Sequence, residues 1–147
     1  MSQTLTGGCQ CGRIRYEAKV ENDEAYLCHC RYCQKATGGF AAAFVQVSKA
    51  GVQWTHEPDW YQSSAIAHRP FCSHCGTPLG FDFIESSGNM DLTLGSFDTP
   101  EFFRPAAHSG CESLHPAWLD TKDLPRHYSA TTESVASRWK AAGLEVP

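Results

Sequence analysis

The chain has 147 residues, 41% hydrophobic and 19% charged, with a formal net charge of −4. That length suits one domain, spanning 1–147, which buries a core without covalent staples. No run approaches the ~18 apolar residues of a membrane span, the twelve Lys and Arg are scattered rather than gathered into a phosphate-binding patch, and the opening MSQTLTGGCQ lacks the basic and apolar segments of a signal peptide. These features point to a cytoplasmic protein that binds neither membrane nor nucleic acid. In that compartment eight cysteines read as metal ligands or redox groups, not as a disulfide framework.

In chain order, the first regular element is expected at Gly12–Val20. There Ile14, Tyr16, Ala18 and Val20 alternate with Arg13, Arg15, Glu17 and Lys19, the period of a half-buried strand. Cys30 to Ala36 fits a short helix ending at Gly38-Gly39, a pair suited to a left-handed C-cap. Strands are expected at Ala41–Val47, Leu79–Ile84 and Met90–Leu94, each bounded by Gly, Pro, Asn or Ser. Near the C-terminus Thr131 or Thr132 can cap a helix with Val135, Ala136 and Trp139 on one face, ending at Gly143. The whole reads as mainly β, antiparallel sheets with short helices.

Seven of the cysteines fall into three groups: Cys9/Cys11, Cys28/Cys30/Cys33 and Cys72/Cys75; Cys111 stands alone. In extended backbone residues i and i+2 share a face, so each Cys-x-Cys pair can turn two sulfurs one way, and Cys33 follows Cys30 by about one helical turn. Cys72-Ser73-His74-Cys75-Gly76 has the form of a metal knuckle. Two pairs make the closed tetrahedral Cys₄ set of structural zinc, so Cys9, Cys11, Cys72 and Cys75 count as one site. Cys28, Cys30 and Cys33 then supply three ligands and leave one position open, the pattern of catalytic zinc. Spacing alone also allows the first pair to join the middle group, or Cys111 or a histidine to close it. Thioredoxin-like redox chemistry wants a βαβ surround that is absent from the pattern.

Four segments in order carry a resemblance: GGCQCGRIRY at Gly7–Tyr16, CHCRYCQKATGG at Cys28–Gly39, FCSHCGTPL at Phe71–Leu79 and LGSFDTPE at Leu94–Glu101. Together with a histidine-containing stretch running to Trp118, they resemble the glutathione-dependent formaldehyde-activating enzymes, a family that includes centromere protein V. The resemblance implies a single Mss4-like (β-tent) zinc-binding domain and two Zn²⁺ per chain. It places a structural zinc on Cys9, Cys11, Cys72 and Cys75, and a second, catalytic-type zinc on Cys28, Cys30 and Cys33. It further implies a carbon–sulfur lyase that forms or cleaves an S-hydroxymethyl adduct between a small thiol, glutathione or similar, and an aldehyde. A zinc-stabilised binding module without catalysis is the other class within the same family, and a homodimer is only the common default.

Around the open site, Arg31, Lys35, Arg69 and Arg104 are the cations available to an anionic thiol, each read as a solvated surface residue. His29 and His74 lie inside ligand groups without being needed as ligands; a supporting hydrogen bond or plain exposure is expected. His108 and Asp98 fall in family-like segments and are assigned no role. Cys111 departs from the family pattern and is expected to be a buried, inert thiol.

Overall fold

The alternation in Gly12–Val20 is realised as burial: Ile14, Tyr16, Ala18 and Val20 are at most 1% exposed, while Glu17 and Lys19 face solvent. The strand itself is Arg15–Val20 (β2), because the backbone from Cys9 to Ile14 closes into a turn. β1 (Gln3–Gly8) and β5 (Val52–Trp54) flank β2 antiparallel and complete a three-stranded sheet.

A second sheet has seven strands. In chain order they are β3 (Glu24–Cys28), β4 (Ala42–Ser48), β6 (Asp59–Gln62), β7 (Ala67–Phe71), β8 (Gly80–Phe83), β9 (Asn89–Thr93) and β10 (Arg104–Ser109). Their order across the sheet is β10-β3-β4-β9-β8-β7-β6. Every pairing is antiparallel except β10 with β3, which run parallel. That pair is held at its ends by Arg104 N–H to Asp23 O (2.8 Å) and His29 N–H to Ser109 O (2.8 Å). The structure is a computed structural model describing residues 2–85 and 88–146.

Strand alternation gives the large sheet two buried faces. Val45 and Val47 of β4 and Met90 and Leu92 of β9 pack with Ile14, Tyr16, Ala18 and Val20 in the main core. Ala42 and Phe44, on the opposite face of β4, pack with Cys33, Tyr26 and Phe81. The second face is the one that carries chemistry.

The expected strands at Ala41–Val47, Leu79–Ile84 and Met90–Leu94 appear as β4, β8 and β9, shifted by one residue or so; β9 stops at Thr93 because Leu94–Ser96 turns into a 3₁₀ segment. The short helix is α1 (Arg31–Thr37), closed by Gly38 in the left-handed conformation. The C-terminal helix is α2 (Glu133–Ala141), with Thr132 at its N-cap and Val135, Ala136 and Trp139 half-buried along one side.

The chain divides into two compact units, Met1–His115 and Pro116–Pro147. Both sheets lie in the first and α2 in the second. Among the described residues no helix is long and apolar enough to cross a membrane.

Candidate metal centres and a cleft

None of the eight cysteines is in a disulfide, and seven gather into two clusters: Cys9, Cys11, Cys72 and Cys75, and Cys28, Cys30 and Cys33. Within each cluster all sulfurs lie within 4.8 Å of one another. A tetrahedral ion with metal–sulfur bonds of ~2.3 Å needs sulfurs ~3.8 Å apart. Cys9 to Cys11 is 3.5 Å and Cys11 to Cys72 is 3.8 Å, so these two pairs of the four-cysteine set are close to that spacing. Either cluster could hold a metal ion.

Two tight turns build the four-cysteine cluster. Cys9 leaves β1, and its sulfur accepts from Ile14 N–H at 3.2 Å while Gly12 N–H returns to Cys9 O at 3.0 Å. Cys72 leaves β7, and Gly76 N–H returns to Cys72 O at 2.7 Å with Gly76 at φ +80°, a conformation that L side chains avoid. The Thr77 hydroxyl joins the two turns, accepting from Gln10 N–H at 3.0 Å and lying 3.1 Å from Cys75 Sγ. Hydrogen bonds from Thr77, side chain and backbone, bring the Cys75 thiol down to about 5. Burial pushes Cys72 up, but the Arg13 guanidinium and the amides of Cys75 and His74 outweigh it and lower the thiol. Cys11 goes the other way, to about 11: the Arg13 amide pulls it down, and burial with the Cys9, Cys75 and Cys72 sulfurs prevails. Arg13 is itself held by Asp59, which also accepts from Ser73 N–H at 2.8 Å.

The three-cysteine cluster is built differently. Cys28 ends β3 and Cys30 is the N-cap of α1, its sulfur accepting from Cys33 N–H at 3.4 Å. Burial pushes Cys30 up, but amides of Cys33 and Tyr32 are among the donors that bring it below its ordinary value. Burial dominates at the other two: Cys28 is raised, and Cys33 is pushed up to about 12 against the pull of Arg69.

Arg69 corrects the surface reading. It is 4% exposed, donates to Cys33 Sγ at 3.3 Å, and lies with its guanidinium carbon 4.9 Å from the centre of the Phe81 ring. Its Nε has no hydrogen-bond partner in the structure. A buried cation against a sulfur is stable when that sulfur is anionic, as a metal-bound thiolate is. The signal was in the sequence: in Ala67–Phe71 the arginine takes the position two after buried Ala67, on the inward face of β7.

Gly110 was missed as well. At φ +62° it packs on the first turn of α1, where an added Cβ would come within 2.6 Å of Cys30 N and 2.9 Å of Cys30 Cβ. The next residue, Cys111, opens a 3₁₀ turn, is exposed and joins neither cluster, against the expectation of burial.

His29, between two cluster cysteines, is fully buried, with Nε2 2.9 Å from His108 Nδ1 on β10. Burial, then His108 and His115, lower its pKa, favouring the neutral ring. His108 thus supports the Cys28–Cys30 segment. His74 is exposed. Asp98 is not at this cluster: it accepts from Arg15 at 2.9 Å and from Thr6 at 2.6 Å. Arg31 bonds Gln34, Lys35 is exposed, and Arg104 pairs with Asp23 and Glu24 at 3.0 Å each.

Cys28, Cys30 and Cys33 open on a cleft of about 790 Å³. Its walls are aromatic, with Tyr26, Phe44, Phe81 and Phe83, and Asp91 lies further along. Burial pushes the Asp91 carboxyl up to about 6, the Tyr26 hydrogen bond opposing and Asp82 reinforcing the shift. None of Cys9, Cys11, Cys72 and Cys75 lines that cleft.

Comparison with known proteins adds three findings. A family model described as glutathione-dependent formaldehyde-activating enzyme matches residues 4–113, all within the first unit. A Schizosaccharomyces pombe protein named as an uncharacterized lyase is 34% identical over 77 residues, covering 52% of this chain and 56% of that protein. The chain thus spans little more than half of that relative's length. A crystal structure of a Rhodobacter sphaeroides protein, solved as a structural genomics target, superposes with a TM-score of 0.58 at 18% identity over 71% of this chain and all of that one. At that identity the likeness speaks for the fold alone.

Proposed function

The chain belongs to the glutathione-dependent formaldehyde-activating enzyme family, and on that premise we propose that it is a zinc-dependent carbon–sulfur lyase acting at Cys28, Cys30 and Cys33. Cys9, Cys11, Cys72 and Cys75 hold a structural zinc in this reading, making two Zn²⁺ per chain. One observation carries it: of the two cysteine clusters, the one with three ligands opens on the cleft. The four-cysteine set is complete in itself, whereas the three-cysteine set leaves a position for a reactant.

Bound there, zinc supplies one thing, the stabilisation of an incoming thiol as its thiolate. The reaction joins a small thiol, glutathione or similar, to an aldehyde. The sulfur–carbon bond forms as the carbonyl π bond opens, and the thiol proton ends on the former carbonyl oxygen; the reverse breaks the same bond. The chain's own residues prepare this ground. Arg69 offsets negative charge on the cysteine sulfurs from behind. Gly110 and the His29–His108 contact hold the Cys28–Cys30 backbone in place. A reactant seated against the aromatic walls is partly withdrawn from water, which strengthens interactions with charge that develops on the aldehyde oxygen.

The test is exchange NMR between free thiol, formaldehyde and the S-hydroxymethyl adduct, with the zinc-loaded chain. Exchange faster than the uncatalysed rate, abolished in Cys33→Ala while the fold persists, is the expected result. No acceleration with any thiol at millimolar concentration, both metals being bound, overturns the proposal and leaves a zinc-stabilised binding module.

A further inference from the structure

Charge is sorted around α1. The cleft wall carries Glu21, Glu24 and Asp91 and, among the described residues, no Lys, Arg or His. Along the helix face that bears Arg31, Tyr32, Lys35 and Ala36 lies a groove of about 650 Å³, walled on its other side by Tyr61 and Ser63. A hollow of about 210 Å³ shares Ala36 and Tyr61 with it and reaches Arg69. Cations line both, and among the described residues no carboxylate lines either.

The groove and the cleft are close neighbours. Cys30 lines one and Arg31 the other, consecutive residues whose Cα atoms are ~3.8 Å apart. At the inner end Arg69, which lines the hollow, donates to Cys33 Sγ at 3.3 Å, so one guanidinium separates the hollow from a cluster sulfur. Arg31 and Lys35 are four residues apart, on one face of α1 and ~6 Å apart along its axis, near enough to grip one anionic group together.

These two cations are also uncommitted. Elsewhere in the first unit Arg13 pairs with Asp59, Arg15 with Asp98, Lys49 with Asp82, and Arg104 with Asp23 and Glu24. Arg31 and Lys35 are both exposed, and neither has a carboxylate partner among the described residues. Arg31 gives one N–H to Gln34 Oε1 and keeps its other donors. Across the groove the Tyr61 ring is held edge-on by Phe71 at 5.4 Å, which fixes that wall.

We propose that the charge of the incoming thiol is read in this groove: its sulfur enters the three-cysteine cluster while a carboxylate lies outside the cleft, held by Arg31 and Lys35. The inference rests on the thiol chemistry proposed above and assigns the residues that select an anionic thiol over a neutral one. A carboxylate left in the cleft would meet acids and no cation; in the groove it meets cations and no acid. Glutathione suits this division, because its thiol stands on the middle residue with a carboxylate to either side.

S-Methylglutathione, which keeps both carboxylates and has no free thiol, tests the groove apart from the chemistry. Its affinity for the zinc-loaded full chain, from NMR titration, should exceed that of its dimethyl ester by roughly tenfold. In the double variant Arg31→Gln/Lys35→Gln it should fall to the level of the ester. Lys19→Gln, which removes an exposed cation of β2, should leave it unchanged. In the exchange assay the double variant should raise KM for glutathione by a similar factor with kcat held, since the grip is the same in ground and transition states.

Equal binding of acid and ester, no binding of S-methylglutathione at millimolar concentration, or a double variant that binds it as the wild type does, overturns the inference. Accelerated exchange with an unchanged KM in the double variant overturns it too, while leaving the lyase reading intact. Binding that depends on Arg31 and Lys35, with no acceleration of exchange by the wild type, supports the anion groove and sinks the lyase chemistry instead.

Discussion

The two cysteine clusters share a ligand type and little else. The four-cysteine cluster sits in two hydrogen-bonded turns and surrounds its thiols with donors, Thr77 at Cys75 and Arg13 at Cys72. The three-cysteine cluster sits at the start of a seven-residue helix, backed by a buried arginine, on a sheet face lined with aromatics. One arrangement favours the thiolate at two of its four sulfurs, Cys72 and Cys75, and draws all four together. The other keeps two of its thiols protonation-prone by burial and faces a cleft. Structural stability and reactivity ask opposite things of a metal, full coordination for the first and a free position for the second.

Breaking the comparison on its structural side has the largest expected effect. Cys72→Ala removes a fully buried thiol whose sulfur, 3.8 Å from that of Cys11, joins the turn after β7 to the turn after β1. Structural zinc contributes apparent free energies of about 10–16 kcal/mol in small domains, as much as or more than the roughly 5–15 kcal/mol net stability of a folded protein. The variant is expected to lose its β circular-dichroism signal and its cooperative melting transition.

On the other side, Arg69→Met leaves the sulfur of Cys33 in a buried site without its counter-charge. Removing one partner of a buried ion pair costs about 3–5 kcal/mol. Part of that cost should appear as metal affinity at the three-cysteine cluster lowered by roughly 10–100-fold. The four-cysteine cluster should keep its ion, which competition with a chromogenic chelator will show.

Acidification separates the clusters without mutation. Protons compete with metal for thiolate, so a raised thiol pKa means earlier release. In the three-cysteine cluster Cys28 and Cys33 are raised by burial, Cys33 to about 12, and Cys30 is lowered; in the four-cysteine cluster Cys75 is lowered to about 5 and Cys72 is lowered, while Cys11 is raised to about 11. For the lowered pair, stabilisation is present above the ordinary thiol pKa and fades as pH falls through the depressed value. Raised thiols being the majority there, metal should leave the three-cysteine cluster first as pH falls from 8, and the four-cysteine cluster at lower pH. Release in the reverse order would contradict the assigned electrostatics.

Gly110→Ala is the smallest change. A left-handed backbone costs an L residue about 1–2 kcal/mol, and the added methyl meets Cys30. A lower melting temperature is expected with weaker metal retention at the three-cysteine cluster alone.

Much of this arrangement is legible in the linear chain. The Ile14–Val20 alternation marks a strand because one face is core and the other solvent, and Cys-x-Cys with Cys-x-x-Cys fixes which sulfurs can meet. The β3 segment EAYLC and the β10 segment RPAAHS have no comparable pattern, since β10 is exposed along its length and owes its place to parallel pairing with β3. Such non-local pairing is invisible to local periodicity. Arg69 and Asp91 look like ordinary surface charges until the strands that carry them turn inward to the same sheet face. Each is an isolated charge in a short apolar strand, AHRPF and NMDLT, and that contrast was the available clue.

The central claim is that one cluster holds metal for the fold and the other for chemistry. Zinc content measured during stepwise chelation tests it most directly, with the β circular-dichroism signal followed in the same sample. Two zinc ions per chain are expected, one released readily with the β signal intact and the second released only as that signal collapses. A single zinc per chain, or two ions leaving together with the fold, would contradict it.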